Sequence, residues 1–373
     1  MNLEPRPEDL QAQTTAHELV AGPLADLPAR LERDGRLDDA ALAALRDSGL
    51  LLRFLPATAG GAGHDLLAFT FALEELAKAS PALALLAATQ VVVAQRALLA
   101  FAERPDRDEL ARAMVTLDGV VALAASEVGA GCDLAAVAAA YRGDGDLLVV
   151  GGMKRYVNWA ARARWHAALL AREGGGASLL LVPREAPGAA VGETLPTMGM
   201  AGLEAASVTW SEVRLDRRHL VGAEGYGFAI HERCLAELRV ALAAIATGMA
   251  QAAFDVAVAH GKTRKQGGQP VGAYQSLQWR FADMAMAVDA ARLHTWNAAV
   301  LARGRRPFGK ESAMAKVVAT EAAQTVADFA VQVHGGEGYL RGATAERLYR
   351  DSRFLRICGG TSEVLRNAIA EQL

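Results

Sequence analysis

The chain has 373 residues, of which 52% are hydrophobic and 22% charged, and its formal net charge is −3. This composition excludes an intrinsically disordered chain, which has few apolar residues and a strong net charge. The two signs of charge are interspersed and form no basic stripe that would neutralise phosphates, so we expect no nucleic-acid partner. At about 150 residues per domain, the length predicts two or three domains.

The segment MNLEPRPEDLQAQ is polar and acidic, which does not fit a signal peptide, so export is not expected. The longest apolar stretches, 82–94 and 240–254, are short or contain glutamines, below the roughly 20 residues that cross a bilayer. We therefore expect buried helices and no membrane contact. Cys132, Cys234 and Cys358 lack CxxC spacing and the histidines lack i, i+4 pairs, which fits a reducing cytoplasm and predicts no metal site.

Periodicity divides the chain into three parts. Apolar residues recur three and four positions apart over 37–51, 65–79 and 83–102, so residues 1–118 are predicted to form an N-terminal helical domain. The same spacing recurs over 228–263, 274–303 and 311–333, and another helix is expected to begin near Thr361. Long helices joined by short loops predict a C-terminal four-helix bundle over residues 225–373.

Between these helical parts lie short segments rich in Val, Leu and Trp, separated by Gly, Asp and Pro. The predicted strands are 120–125, 147–150, 166–171, 178–182 and 207–213. Residues 143–146 have the composition of a hairpin turn, which favours antiparallel pairing over βαβ crossovers. Residues 119–224 are thus predicted to form a middle antiparallel β domain, barrel-like in shape, and the whole chain an α+β fold.

Several familiar motifs are absent. The sequence contains no GxGxxG after a predicted strand, no GxxxxGK[ST], no HExxH and no GxSxG. Dinucleotide-binding Rossmann domains, P-loop proteins, zinc proteases and serine hydrolases are therefore not expected.

Five segments, in order, resemble the acyl-CoA dehydrogenase family. ASEVGAGCD (125–133) is similar to the family's TEPGAGSD loop and GGMKRYVN (151–158) to its NGQKxWIT strand. RKQGGQPVGAYQ (264–275) is similar to its R-K/E-Q-F-G-x-P-I-G-x-x-Q segment. QVHGGEGY (332–339) and YRDSR (349–353), leading to GTSE (360–363), complete the match. The resemblance covers nearly the whole chain and implies the family's helical, β and helical domains.

The resemblance also implies FAD as cofactor. In the family the first two segments lie along the flavin, the next two reach a neighbouring subunit's FAD, and the last turn contacts the flavin. The FAD-binding residues implied in this chain are Ser126, Gly131, Cys132, Tyr156, Asn158, Arg264, Gln266, Gln275, Gln332, Gly335, Gly336, Thr361 and Glu363. Glycines allow close backbone approach to a cofactor, and an arginine offers a charged fork to a pyrophosphate.

The implied activity is FAD-dependent α,β-dehydrogenation of an acyl thioester, carried by CoA or by an acyl carrier protein. In the family's reaction a carboxylate removes the α-proton while hydride leaves the β-carbon for the flavin. The resemblance further implies an electron-transfer flavoprotein or another electron acceptor. It implies a homodimer or homotetramer, with a hetero-oligomer as the alternative.

The family's catalytic carboxylate is missing from both of its usual positions. Gly359 stands where many members have the glutamate, although its backbone N–H would still polarise a thioester carbonyl. Leu238 stands where other members have a glutamate immediately before an arginine, here Arg239. Glu237 lies one residue earlier, about 100° around a helix, and is the remaining candidate base, although a solvated or ion-paired carboxylate is the simpler interpretation.

Two further departures predict weaker FAD binding: Gly267 replaces a phenylalanine and Cys132 a serine.

The sequence leaves three hypotheses for the function of the chain. The first is a dehydrogenase that uses Glu237 or another carboxylate. The second is a base-deficient homologue, either a non-catalytic subunit or an enzyme with other flavin chemistry such as oxygenation. The third is a binding or scaffolding protein that has lost the cofactor.

Overall fold

Helices form both ends of the chain and strands its middle in the computed structural model, which describes residues 4–373; residues 1–3 of the first predicted domain lie outside it. The helices are α1 (Pro7–Ala21), α2 (Leu27–Asp34), α3 (Asp39–Asp47), α4 (Leu66–Ala79), α5 (Pro81–Val92), α6 (Arg107–Val115), α7 (Gly227–Thr263), α8 (Gln275–Arg303), α9 (Gly309–His334), α10 (Thr344–Leu355) and α11 (Ser362–Ala370). The strands are β1 (Val121–Ala124), β2 (Ala140–Asp144), β3 (Leu147–Val157), β4 (Trp165–Arg172), β5 (Ala177–Pro183), β6 (Ala189–Val191), β7 (Ala206–Asp216), β8 (Leu220–Val221), β9 (Lys265–Gln266) and β10 (Gln269–Pro270).

The predicted long helices are confirmed as α4, α7, α8 and α9, but α1 was not predicted. Its buried stripe consists of Asp9, Ala12, Ala16 and Leu19, which is too weakly apolar to produce a clear periodic pattern. The Asp9 carboxylate can be buried in this stripe because it accepts a hydrogen bond from Arg303 at 2.7 Å.

The two apolar stretches lie within long helices close to the ranges that periodicity predicted. Residues Pro81–Leu99, which comprise α5 and a π-helical segment (Val93–Leu99), and the 37 residues of α7 are long and apolar enough to cross a membrane by length and composition. Their most apolar windows are, however, 83% and 72% buried inside the fold. They serve here as core helices.

The N-terminal helices and the C-terminal bundle share one hydrophobic core, whereas the β domain has its own. The two helical parts meet most closely where α4 crosses α7. A Cβ atom built on Gly248 of α7 would lie 2.1 Å from the carbonyl oxygen of Glu74 on α4, so only glycine allows this backbone contact. Gln90 of α5 also binds both backbone groups of Val121, at 2.8 and 3.0 Å, which fixes β1 against the helices.

The β domain is a mixed sheet with strand order β6-β7-β3-β2-β4-β5-β8, and β1 pairs with β4. The predicted turn at 143–146 is confirmed, since β2 and β3 form an antiparallel hairpin. The other pairs of the sheet are also antiparallel, as expected, except that β4 pairs in parallel with both β1 and β2. The chain returns to β4 through long connections, which permits parallel neighbours. Over residues 4–373 the strand order ends at β6 and β8, so the pairing does not close into a barrel.

Candidate functional site

The loop after β1 is held by a buried ion pair. The Lys154 ammonium, fully buried on β3, donates to the Ala125 carbonyl oxygen at 2.9 Å and to Glu127 Oε1 at 2.8 Å. The Glu127 carboxylate also accepts the backbone N–H groups of Ala138 and Ala139, at 2.8 and 3.0 Å. Burial acts to raise the pKa of Glu127, but these donors outweigh it and lower the pKa. The loop is therefore fixed around an ionised carboxylate.

This loop presents three of the predicted cofactor residues. Ser126 is half-buried and its carbonyl oxygen accepts the Arg155 N–H at 2.9 Å, which joins the loop to β3. Gly131 and Cys132 are exposed, and a Cβ atom on Gly131 would meet nothing within 4 Å. The loop thus borders open space with its backbone.

The other two predicted cofactor residues of the middle domain, Tyr156 and Asn158, lie at the end of β3, where the strand pairing is irregular. The register between β3 and β7 shifts between Lys154 and Val157, and Tyr156 within this bulge has φ of 63°. Tyr156 is 58% exposed, with the Arg155 guanidinium 5.4 Å from its ring centroid. Asn158 follows and is half-buried. An exposed aromatic ring beside a polar side chain and an open loop is suited to contact a planar ligand.

A side chain of α7 holds the turn that precedes α11. Arg239 Nε lies 3.3 Å from the carbonyl oxygen of Gly359, and Arg239 Nη1 donates to Glu232 at 2.7 Å. Lys316 Nζ, fully buried on α9, donates to the carbonyl oxygen of Gly360 at 2.7 Å. Burial lowers the pKa of Lys316 to about 8. Two cationic side chains therefore hold successive carbonyl groups of one turn.

Both glycines of this turn have positive φ, 68° at Gly359 and 98° at Gly360. Among residues 4–373, no backbone or side-chain acceptor takes the amide protons of Gly359, Gly360 or Thr361. Thr361 caps α11, since its hydroxyl oxygen accepts the Val364 N–H at 3.3 Å, and Glu363 is exposed in the first turn of that helix. The turn is thus an array of free N–H donors whose carbonyl oxygens point to cations.

Glu237 points elsewhere. Its carboxylate is 5% exposed and lies 2.6 Å from Arg96 Nε of the π-helical segment. This distance is that of an ion pair, but the angle is not that of a hydrogen bond, so Arg96 Nε–H has no aligned acceptor within the described residues. Glu237 and Leu242, which contacts the Gly359 turn, are five residues or about 140° apart around α7. The ion-paired interpretation of Glu237 agrees with this position.

The remaining predicted residues lie at the other end of α7. Arg264, Gln266 and Gln275 are exposed around the small hairpin of β9 and β10. Gln332, Gly335 and Gly336 are exposed where α9 ends. The rings of His260 and His334 lie 4.2 Å apart and bring the two groups together. These residues thus form a second cluster at the far end of α7.

The structure also explains why glycine occupies position 267 in the same hairpin. It has φ of 58°, and a Cβ atom there would lie 2.5 Å from the Tyr274 hydroxyl oxygen. This hydroxyl donates to the carbonyl oxygen of Gln266 at 2.9 Å. An aromatic ring therefore stands beside this hairpin even though the phenylalanine of the family pattern is absent.

Sequence reasoning assigned no role to Lys154, Lys316 or His231. The first two are recognisable only as lysines within apolar stretches, and nothing in their spacing identifies their partners. His231 is buried on α7 and its Nδ1 has no hydrogen-bond partner within residues 4–373. Burial, together with the charges of Arg239 and Lys154, lowers the pKa of His231 to about 4, so its imidazole is neutral at pH 7.

Family models match the chain along nearly its full length. The acyl-CoA dehydrogenase N-terminal domain matches residues 6–118, the middle domain 122–215 and the C-terminal domain 225–373. The short-chain specific acyl-CoA dehydrogenase of mouse mitochondria is 34% identical over 363 residues, which cover 96% of this chain and 88% of the mouse protein. A probable acyl-CoA dehydrogenase of Bacillus subtilis is 31% identical over the whole of both chains.

A solved structure shows the same fold. Butyryl-CoA dehydrogenase from Megasphaera elsdenii superposes with a TM-score of 0.96 at 26% sequence identity, covering 100% of this chain and 99% of that one. The order of the five sequence segments, the three-part fold and the full-length matches agree. This chain belongs to the acyl-CoA dehydrogenase family.

Proposed function

We propose that this chain binds FAD and oxidises an acyl thioester between Cα and Cβ. The observation that carries the proposal is the turn at Gly359 and Gly360, whose carbonyl oxygens are held by Arg239 and Lys316 while its N–H groups have no acceptor within residues 4–373. Such preorganised donors stabilise the negative charge that develops on a thioester oxygen when the α-proton leaves.

The residues present fit FAD. Cβ atoms on Gly129, Gly131, Gly335 and Gly336 would meet nothing within 4 Å, so the backbone borders open space in both clusters. Ser126, Tyr156 and Asn158 would lie along the ring system, and Arg264 would bind the pyrophosphate. Bound FAD would accept the hydride from Cβ. The protein would hold the ring against the loop that Glu127 and Lys154 fix, and would hold the thioester carbonyl against the Gly359 turn.

The two clusters support an oligomer. Arg239 and Arg264 are separated by 25 positions along α7, or about 38 Å at 1.5 Å per residue. An FAD whose ring system lies beside the Gly359 turn could not reach Arg264 with its pyrophosphate over this distance, so Arg264, Gln332 and Gly336 would serve the FAD of a second copy. On α8, Trp279, Met286 and Leu293 recur every seven residues and are 62%, 62% and 50% exposed, forming an apolar stripe. We propose that this stripe packs against another copy in a homodimer or homotetramer.

A specific observation also favours the second hypothesis, a base-deficient homologue. Leu238 offers no carboxylate, Glu237 is paired with Arg96, and Leu242 fills the space beside Gly359. General acid–base catalysis contributes about 10² to 10⁴ in rate, so a chain without a base would reduce its flavin slowly. Such a chain would be a non-catalytic subunit or would use the flavin for another reaction.

One experiment separates the hypotheses. The visible spectrum of the purified protein is recorded, then repeated anaerobically with acyl-CoA thioesters of increasing chain length and with acyl carrier protein thioesters. Bleaching within seconds by one class would support dehydrogenation and identify chain length and carrier. A flavin that no thioester bleaches would contradict it and favour the base-deficient homologue. Protein without flavin would contradict both, leaving the scaffolding hypothesis.

A variant tests the vacant position directly. Gly359→Glu combined with Leu242→Ala places a carboxylate in the turn and removes the side chain in its way. We expect this double variant to reduce the flavin at least 100-fold faster than wild type if the missing base limits the rate. Glu237→Gln is the matched test of the alternative base. A rate that falls at least 100-fold in Glu237→Gln would show that Glu237 reaches the substrate despite its position. Electron-transfer flavoprotein, our proposed acceptor, is then added to the reduced protein.

A further inference from the structure

A large cavity lies beside α7, on the face of the helix that carries Glu232, Ala236 and Glu237. Its volume is about 1230 Å³, larger than most small-molecule sites. Its walls are α5 with the π-helical segment, the beginning of α7, residues 54–69 and the connection between α8 and α9 (302–309). Apart from Glu237, the alternative base tested above, and Glu232, which pairs with Arg239, these walls contain no residue of the proposed flavin site.

The cavity carries excess positive charge. Five arginines, including Arg96, line it against three acids, Asp65, Glu232 and Glu237. All three acids are already paired: Asp65 with Arg303, Glu232 with Arg239 and Glu237 with Arg96. Within residues 4–373, the other three arginines of the lining make no ion pair or side-chain hydrogen bond. They are Arg233, Arg305 and Arg306.

Arg96 is the cation built most firmly into the wall. Its Nε faces the buried carboxylate of Glu237 at 2.6 Å, and within residues 4–373 its terminal Nη atoms make no hydrogen bond. The neighbouring Gln95 is fixed by a hydrogen bond to the Phe54 carbonyl oxygen. The Arg96 side chain is 33% exposed, so the free edge of its guanidinium is accessible from the cavity. Two parallel N–H groups on this edge match the two oxygens of a carboxylate.

Apolar side chains also line the wall near Arg96. Val92 and Leu99 lie one helical turn before and after Arg96, and Phe54 and Phe69 belong to the same lining. The rings of Phe54 and Phe69 pack at 4.5 Å between centroids. A π-helical segment inside an α-helix is frequently found at functional sites, and this one contains both Gln95 and Arg96.

We propose that this cavity binds a linear, medium-chain carboxylate, with the carboxylate on the Arg96 guanidinium and the chain along Val92, Leu99 and Phe54. Glu237 is then a positioning residue that orients Arg96, and Arg233, Arg305 and Arg306 attract the anion to the entrance. Two sources supply this chemistry, a free carboxylate and the far end of a thioester-linked dicarboxylic acyl group. The proposal does not depend on the proposed flavin reaction.

Isothermal titration of the whole protein with decanoate and with decanol tests it. We expect wild type to bind decanoate at least 10-fold more tightly than decanol. Arg96→Met should remove this preference while binding decanol as wild type does, which shows that the cavity is still formed. Glu237→Gln should reduce the preference several-fold, and Arg142→Met, on the surface of the β domain, should not change it. Equal binding of the two probes by wild type would overturn the proposal, as would decanoate binding unchanged in Arg96→Met.

A second pair of probes distinguishes the two sources. Sebacyl-CoA has a carboxylate at the far end of its chain and decanoyl-CoA does not. If the acyl group of a thioester reaches the cavity, wild type will prefer sebacyl-CoA and Arg96→Met will not. If decanoate alone shows the Arg96-dependent preference, the ligand is a free carboxylate. These titrations need no turnover, so their outcome is separate from that of the spectra described above.

Discussion

Leu242 occupies the space that a side chain at position 359 would need. A Cβ atom on Gly359 would lie 2.5 Å from Leu242 Cδ1, at a backbone φ of 68°. We expect Gly359→Ala to lower the free energy of unfolding by about 1 to 3 kcal/mol, through backbone strain and this contact. Combined with Leu242→Ala, its cost should be smaller by at least about 0.5 kcal/mol, measured by urea unfolding of all four proteins. Strictly additive costs would show that the two residues do not compete for space.

The buried pair of Glu127 and Lys154 gives a second prediction. Lys154→Met leaves an ionised carboxylate without its cation, which costs about 3 to 5 kcal/mol for a buried pair. Because the pair fixes the loop that contains Ser126, the purified variant should also contain less flavin than wild type. The control is Arg142→Met, which breaks the exposed pair with Glu212 and should cost less than about 1 kcal/mol. Normal stability and flavin content in Lys154→Met would contradict this role.

His231 predicts a pH dependence of stability. Its pKa is lowered to about 4 in the folded protein, so between pH 4 and 6.5 the unfolded chain binds the extra proton. The contribution of the neutral His231 imidazole to the free energy of unfolding is therefore complete above about pH 6.5 and is lost as the pH falls. Between pH 7.5 and 5 we expect His231 to contribute about 2 kcal/mol to the loss of stability, so His231→Asn should lose less stability than wild type by about this amount. Unfolding curves at both pH values measure it, and equal losses in both proteins would refute it.

The apolar stripe on α8 gives a fourth prediction. Met286→Lys places a charge in its centre and should shift the protein toward monomer in light scattering. If the second cluster serves a neighbour's FAD, the monomer should also lose flavin. Leu10→Lys, at a site on α1 that is 48% exposed, is the control and should change neither. A wild-type monomer that keeps its flavin would contradict the oligomer.

Much of the fold could be predicted because its signals are local. The apolar periodicity of α7 and the Gly and Asp residues between β2 and β3 depend only on neighbouring residues. The parallel pairing of β4 with β1 depends on the path of the chain in space, which no local pattern contains. The same holds for Glu237: its helical face could be predicted from spacing, but its partner Arg96 belongs to a different helix. Likewise, the carbonyl groups that Lys154 and Lys316 hold are distant in sequence.

The close crossing of α4 and α7 at Gly248 couples two sites that lie on different faces of α7. α7 carries the support of the Gly359 turn on one face and the wall of the arginine-lined cavity on another, as one uninterrupted rod. Forcing the two helices apart at Gly248 would move both sites together, although neither contains that residue. A single methyl group added at Gly248 would therefore impair both sites at once. A mutational study of one site alone would attribute this effect to the loss of a local contact.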